Sequence, residues 1–544
     1  MRKRMLKSIV SIAMVLSLLA AFALPAFADS GPSEFEMIIG DFSTKSNGTY
    51  TSTECIAIKK GKVIVDGNKI TLDNVEIVAS KSMEPSEFDN GLTIYNPNDT
   101  TIELVGKNTI KSSSAEYGVG LVAFLDDEKH TKLTITSSNS ESGSLDVTGT
   151  MTALGSGTMD ILNCSVKAIS TGTSDCNSEN FDSVSGIVAD NLTINNSNVT
   201  ASGQLGMCSI KMNIDKSTIN VNAKYEGLFT AEGAMVINNS TITSKSTEDE
   251  SSALSSDGGS ISLNNSTINA ESVSASIFAF GGDISFTSCN VNAKCTDIDS
   301  SAIMTKNGKI IIGEGNVIRS GGNVVNVNGD NGEYENVIST NNMAGEDDRA
   351  SMNVVIEKVG IVNTSNSSSN ISNVTLPSKT DLQDAVLTPE DKAAINSGAN
   401  VDIKLNVNKV DKPADAGVVD KNLNGNTLGM YLDISILKNI GGTKSQVHNL
   451  NKPIRITISL PENLKGFASY SIIRVHEGVA TVLKDLDSDP NTVTFETDRL
   501  STYALVHTPP KGSIPSTGEN SALATVGFIS LTAITAIVLL RKKF

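Results

Sequence analysis

The chain is 544 residues long, with a formal net charge of −17 and a sequence pI near 4.8. An acidic balance of this size argues against nucleic acid as a partner and against docking on anionic membranes, while it attracts divalent cations. None of its six cysteines forms a Cys-x-x-Cys pair, which removes the common zinc and thioredoxin-type centres, and the absence of tryptophan removes an indole platform for stacking sugars.

The first segment reads MRKRMLK, followed by an apolar run over residues 9–24 and then Ala26-Phe27-Ala28. A basic start, a short apolar core and a small-residue site make residues 1–28 a secretory signal peptide, with the mature chain starting at Asp29. From residue 34 short strand patterns follow one another. Lys62-Val63-Ile64-Val65 and Lys69-Ile70-Thr71-Leu72 flank the turn Asp66-Gly67-Asn68. A phrase then recurs as LTINNSNVTA from Leu192, MVINNSTITS from Met235 and ISLNNSTINA from Ile261, with weaker copies from Met159, Met212, Ile284 and Ile310. Its third residue falls at Ile161, Ile194, Ile214, Ile237, Leu263, Phe286 and Ile312, at spacings of 33, 20, 23, 26, 23 and 26 residues. Each copy holds two short period-2 strands around an Asn/Ser corner whose residues tolerate left-handed backbone. One copy cannot bury its own apolar face, but stacked copies can, so the period predicts a parallel β-helix over residues 29–362. The stretches around Val324-Val325-Asn326-Val327 and Met352-Asn353-Val354-Val355-Ile356 are expected to continue it.

Asn363 to Asn370 is rich in Ser and Asn, and residues 363–373 read as a linker. Residues 374–508 read as an antiparallel, β-sandwich-like domain of about seven strands with one short helix, in which Thr388 is the N-cap, Pro389 the first helical residue and Gly398 the stop. Residues 509–513 form a Pro/Gly spacer. The fold class expected is therefore mainly β, a parallel solenoid followed by a smaller sandwich.

At the end, Ile514-Pro515-Ser516-Thr517-Gly518 precedes an apolar run over 521–540 and the tail Arg541-Lys542-Lys543-Phe544. About 20 apolar residues suffice to cross a bilayer. Over residues 514–544 this order resembles the sorting signal of Gram-positive cell-wall-anchored proteins, the LPxTG type, with Ile514 in place of leucine. The resemblance implies that a sortase cleaves between Thr517 and Gly518 and joins the threonine carbonyl to a peptidoglycan amine. The segments Lys452-Pro453-Ile454-Arg455-Ile456-Thr457-Ile458 and Thr494-Phe495-Glu496-Thr497-Asp498-Arg499-Leu500 are similar to a module found beside such anchors. The repeat region, on phrases such as Thr101-Ile102-Glu103-Leu104-Val105-Gly106 and Leu133-Thr134-Ile135-Thr136, resembles the right-handed β-helices of polysaccharide lyases, hydrolases and carbohydrate-binding surface proteins, and looks most like the carbohydrate-binding branch.

Catalysis on such a scaffold needs clustered outward carboxylates. The outward residues of the first strands are Asp160, Thr193, Asn213, Val236, Ser262, Ser285 and Ile311; those of the second are Lys167, Thr200, Asn220, Thr243, Asn269, Asn292 and Ile318. Asp160 is the one carboxylate among them, and no catalytic residue is assigned. Neutral donors and acceptors at Thr193, Thr200, Asn220, Thr243, Asn269 and Asn292 suit sugar hydroxyls. The competing expectation is that these residues only solvate a β surface while Asn196, Asn239 and Asn265 stack in the corner. No cofactor or metal site is assigned, calcium being the one candidate ion: Asn326-x-Asn328-x-Asp330 has its glycine one residue late for an EF-hand loop, and Asp485-x-Asp487-x-Asp489 carries Pro490 where glycine belongs. Cys164 and Cys289 share the corner position about 24 Å apart at roughly 4.8 Å per repeat, beyond disulfide reach. Nothing in the sequence sets a pairing for Cys164 with Cys176 or Cys289 with Cys295, and buried free thiols are the preferred expectation. The chain thus reads as an adhesin or carbohydrate-binding protein on a cell wall, with sortase, peptidoglycan and an extracellular or host polysaccharide as partners. A polysaccharide-degrading enzyme and a passive surface stalk are the alternatives.

Overall fold

The computed structural model describes residues 34–79, 90–112, 118–125, 131–138, 143–172, 184–297, 300–328, 334–339, 351–369, 371, 373–375 and 377–508. These residues are mainly β, with three helices, and fall into two compact units. One unit runs to Ile361 and includes Lys392–Asn400; the other comprises Val362–Asp391 and the residues from Val401. Among the described residues no helix is long and apolar enough to cross a membrane. The expected signal peptide at 1–28, spacer at 509–513 and sorting signal at 514–544, with its span at 521–540, lie outside the described residues.

In the first unit each repeat pairs with its counterpart in the next, and three columns of parallel strands result. The first column carries the opening strand of each phrase. Leu133, Met159, Leu192 and Met212 are matched in succession, as are Met235, Ile261, Ile284 and Ile310. Their side chains are 0–1 % exposed except for Ile310. The second column carries the closing strand, with Val166, Val199, Ile219, Ile242, Ile268 and Val291 matched in turn and likewise buried. Burying an aliphatic side chain of this size stabilises by about 1.5–3 kcal/mol, so the repeated inward pairs are the main source of cohesion.

A third column has no counterpart in the phrase itself. It comprises Asn90–Asn96, Val119–Leu125, the first halves of Thr152–Leu162 and Ser185–Asn195, the middle of Asn198–Asp215, the end of Thr218–Thr230, then Ser252–Ser256, Ile277–Ala279 and Ile303–Thr305. It is buried on both faces. Where the second column turns into the third, glycine is required by close approach. A Cβ on Gly206 would lie 2.1 Å from Val221 Cγ1 and 2.6 Å from the Gly227 carbonyl, and one on Gly227 would lie 2.1 Å from Ser244 Oγ and 2.4 Å from the Ala253 carbonyl.

The 30-stranded sheet of this unit is mixed, because antiparallel pairs occupy both ends. At the start Ile58–Asp66 and Lys69–Val78 form a hairpin around Gly67 (φ 59°). At the other end, the stretches expected as further repeats run antiparallel instead: Asn353–Lys358 pairs with the second column through Val291↔Ile356, and Asn323–Asn328 pairs with Tyr334–Ser339, which joins the third column through Met304↔Val337. Ile318, expected as the last outward residue of the second row, pairs with Ile356 and lies outside the column. Reversing the chain covers strand edges that a further parallel repeat would have left open.

The second unit has a seven-stranded and a three-stranded sheet. The two sheets hold ten strands where about seven were expected, and the expected linker is not a linker: Val362–Ser369 is a strand pairing in parallel with Val401–Val410, so the sheet is not wholly antiparallel. Its Ser and Asn side chains are held by cross-strand bonds, Asn363 Nδ2 to Asp402 Oδ1 at 3.0 Å and Ser367 Oγ to Asn406 Oδ1 at 2.6 Å, and this pairing leaves no apolar alternation to read. In place of the one expected helix the described residues hold three: α1 (Lys379–Val386), α2 (Pro389–Asn396), whose residues from Lys392 on belong to the first unit, and α3 (Ala416–Lys421). The expected start of α2 is as read: Asp391 N–H donates to Thr388 Oγ1 at 3.2 Å while Thr388 N–H donates to Asp391 Oδ2 at 2.9 Å.

Candidate functional site

Between the first two columns the chain turns a corner that the Asn/Ser residues build. Asn163, Asn196, Asn239 and Asn265 have φ of 47–55°, the left-handed region that asparagine tolerates. Their amides bond along the stack: Asn196 Nδ2 donates to Asn163 Oδ1, and Asn265 Nδ2 to Asn239 Oδ1, each at 2.8 Å. Where Lys216 takes the left-handed position, Asn239 Nδ2 donates instead to Asp215 Oδ1 at 2.8 Å. Beneath runs a buried ladder. The N–H of Ser197, Ser217 and Ser240 donate to the hydroxyls of Ser217, Ser240 and Ser266 in the next repeat at 3.2, 3.0 and 3.1 Å. Each hydroxyl in turn donates to a carbonyl of its own corner, as Ser240 Oγ does to Asn238 O at 2.6 Å.

Cys164 and Cys289 stand on this ladder where the other repeats have serine. Cys164 N–H donates to Ser197 Oγ at 3.3 Å, and Cys289 Sγ donates to the Leu263 carbonyl at 3.1 Å. Cys55, Cys164, Cys208, Cys289 and Cys295 are all buried and free, so Cys289 and Cys295 are not joined; Cys176 lies outside the described residues. Burial pushes the Cys164 and Cys295 thiols up to about 11 and that of Cys208 up to about 12. The thiolate that reacts is therefore scarce.

The structure divides the sequence-derived candidates between two columns. Thr193 lies on the first, matched with Asp160 and Asn213. This outward row is broken by Val236 and Ile311, and the Asp160 carboxylate is 2.8 Å from Lys132 Nζ. That bond raises the Lys132 pKa above its ordinary value. Thr200, Asn220, Thr243, Asn269 and Asn292 lie together on the second column as one row in register. A parallel row sits two residues earlier at Asn198, Thr218, Thr241, Thr267 and Asn290, matched in the same way. Ten positions over five strands are thus threonine or asparagine, and all are exposed or half-exposed. With strands about 4.8 Å apart and alternate residues about 6.6 Å apart, they make a regular neutral lattice. Of the ten side chains only Asn290 forms an internal hydrogen bond among the described residues, accepting from Lys358 N–H at 3.0 Å. The corner asparagines are spent on one another. Those of the face are not.

Analysis of the repeated phrase missed the third column. Its outward row holds Val122, Val188, Cys208, Phe229, Ser255, Phe278 and Met304, each 2–7 % exposed. Ser255 Oγ donates to Glu226 Oε2 at 2.6 Å, and after burial the charges of Glu226, Asp257 and Asp190 also raise the Cys208 pKa. The available signal was the near-continuous apolar or small runs LGMCSI, GLFTA and SIFAF, the pattern of a strand buried on both faces.

Among the described residues no group of three or more His, Cys, Asp or Glu side chains is arranged to hold a metal ion. In the Asp485–Asp489 loop the carboxylates hold the loop itself: Asp485 Oδ1 accepts from Thr494 N–H at 3.0 Å, Asp487 Oδ1 from Asp489 N–H at 2.9 Å, and Asp489 Oδ1 from Asn491 N–H at 2.9 Å. Asp330 and the sorting residues Ile514, Pro515, Ser516, Thr517 and Gly518 lie outside the described residues. No family model, curated protein or solved structure matches the chain.

Proposed function

We propose that this is a secreted, sortase-anchored surface protein in which a right-handed parallel β-helix, followed by a β-sandwich-like spacer, binds carbohydrate without transforming it. The single observation that carries the binding role is the second-column face, where threonine and asparagine recur at ten matched positions with almost no internal bond to make. Three columns of parallel pairs support the helical reading, since stacked repeats at spacings of 20–33 residues close into a coil only if each returns above the last. Threonine suits any exposed strand through its β-branched side chain, but asparagine is depleted in strands, so its recurrence at Asn198, Asn220, Asn269, Asn290 and Asn292 is what solvation alone leaves unexplained. The order of signal peptide, Ile514-Pro515-Ser516-Thr517-Gly518, apolar run and basic tail supports wall anchoring.

Glycan-array binding of the full chain tests the carbohydrate role: the proposal expects bound glycans whose signal is lost in a Thr200→Lys, Thr243→Lys variant of unchanged fold, and no bound glycan of any kind overturns it. Incubation with a sortase and a labelled amine tests anchoring, with label expected on Thr517 and none on Thr517→Ala. The polysaccharide-degrading alternative has one specific support, the Glu226, Asp257 and Asp190 carboxylates along the third column. Release of reducing sugar from a polymer, abolished by Glu226→Gln, would favour it.

A further inference from the structure

Resting on the carbohydrate reading, we propose that the second-column face takes a neutral, unbranched polysaccharide lying across the strands, along the direction in which the repeats stack. The orientation comes from the register. Thr200, Asn220, Thr243, Asn269 and Asn292 present the same kind of group on successive strands. A polymer running across them meets one contact repeated about every 4.8 Å, whereas a ligand along a single strand meets two such positions before the corner intervenes. The second row, two residues earlier, doubles each contact without changing its period.

Ligand charge follows from what flanks the lattice. In the repeats that precede it, the same row carries Asp146 and then Lys167. Along its side, Lys245 is matched with Glu271, and their charges lie 3.4 Å apart. Within the lattice no formal charge is present, and the chain as a whole is strongly acidic. Lys167 at one end and Lys245 and Lys294 along the side border the lattice, Lys245 paired with Glu271, but a uronate or sulfated polymer would find no cation within it and would be repelled by the general field. Hydroxyl-rich neutral chains lose nothing there, and hydroxyl and amide groups that are not internally bonded can donate and accept at each step. No aromatic ring adds stacking on this face, so each sugar is held weakly and affinity accumulates along the polymer.

Calorimetry on the full chain, titrated with cello-, malto- and chito-oligosaccharides of increasing length and with polygalacturonate, decides the matter. The expected result is binding to at least one neutral series that strengthens tenfold or more between disaccharide and hexasaccharide, changes little with salt, and falls about tenfold in Thr200→Val, Thr243→Val. That variant keeps the side-chain shape and removes only the hydroxyls; unfolding monitored by circular dichroism confirms its fold, and Asn220→Lys gives an independent second variant. Preference for polygalacturonate, length-independent affinity, or undiminished binding by both folded variants overturns this inference while leaving the carbohydrate reading standing. Failure of every glycan overturns both.

Discussion

The corner and the face of the second column are made of the same residue types, a few ångströms apart, and use them in opposite ways. At the corner, asparagine and serine complete a backbone that could not otherwise bend so sharply: Asn239 adopts φ 49°, and Ser240 satisfies an N–H of the neighbouring repeat while donating to a carbonyl of its own. On the face, Thr241 and Thr243 follow within three residues, and their hydroxyls form no hydrogen bond among the described residues. Polarity alone does not distinguish structural from interacting residues in a repeat. What distinguishes them is whether the hydrogen-bonding capacity is already used.

Substitution can break this contrast, most strongly where the chain has least room. Gly227→Val places side-chain carbon against Ser244 Oγ and the Ala253 carbonyl, and thermal unfolding should show a loss of several kcal/mol or no folded protein, since overpacking costs about 1–3 kcal/mol even where neighbours can move. Ser240→Ala removes an acceptor for Ser217 N–H and a donor to Asn238 O, and denaturant titration should show about 1–3 kcal/mol lost. Acid should bear on the second unit. Burial disfavours the Asp391 anion, but the Lys438 ammonium and Thr388 N–H outweigh it and hold its pKa below the ordinary value. The resulting stabilisation is complete above the unfolded pKa, about 3.9, and lost as pH falls through the lower folded value. Melting temperature should therefore fall below about pH 4, less steeply in Asp391→Asn. Thr243→Val on the face should change stability by no more than about 0.5 kcal/mol; a loss like that of Ser240→Ala would erase the difference between corner and face.

Much of the first unit was legible because its repeat is written twice over, in inward aliphatics at period two and in the NNS corner. The asparagine backbone, the burial of the seven inward third residues except Ile312, and the second-column row at Thr200, Asn220, Thr243, Asn269 and Asn292 follow from that phrase. Thr193, read as an outward residue of a first strand, lies on the first column, apart from the other five candidates, which share the second. The third column was not legible from the phrase, because a strand buried on both faces has no alternation. Nor was the strand Val362–Ser369, whose serines and asparagines look like a linker until Val401–Val410 supplies the partner.

Local chemistry in the sequence by itself therefore determined the strand-rich character, the corners, the inward core and the start of α2, each specified by residues within a few positions of one another. The tertiary structure decided what depends on contacts between distant residues: the antiparallel ends, the third column, the use of Cys164 and Cys289 as ladder rungs, and the alignment of two threonine–asparagine rows into one lattice. Register between strands more than twenty residues apart is set by how whole repeats pack, and no single repeat contains that information.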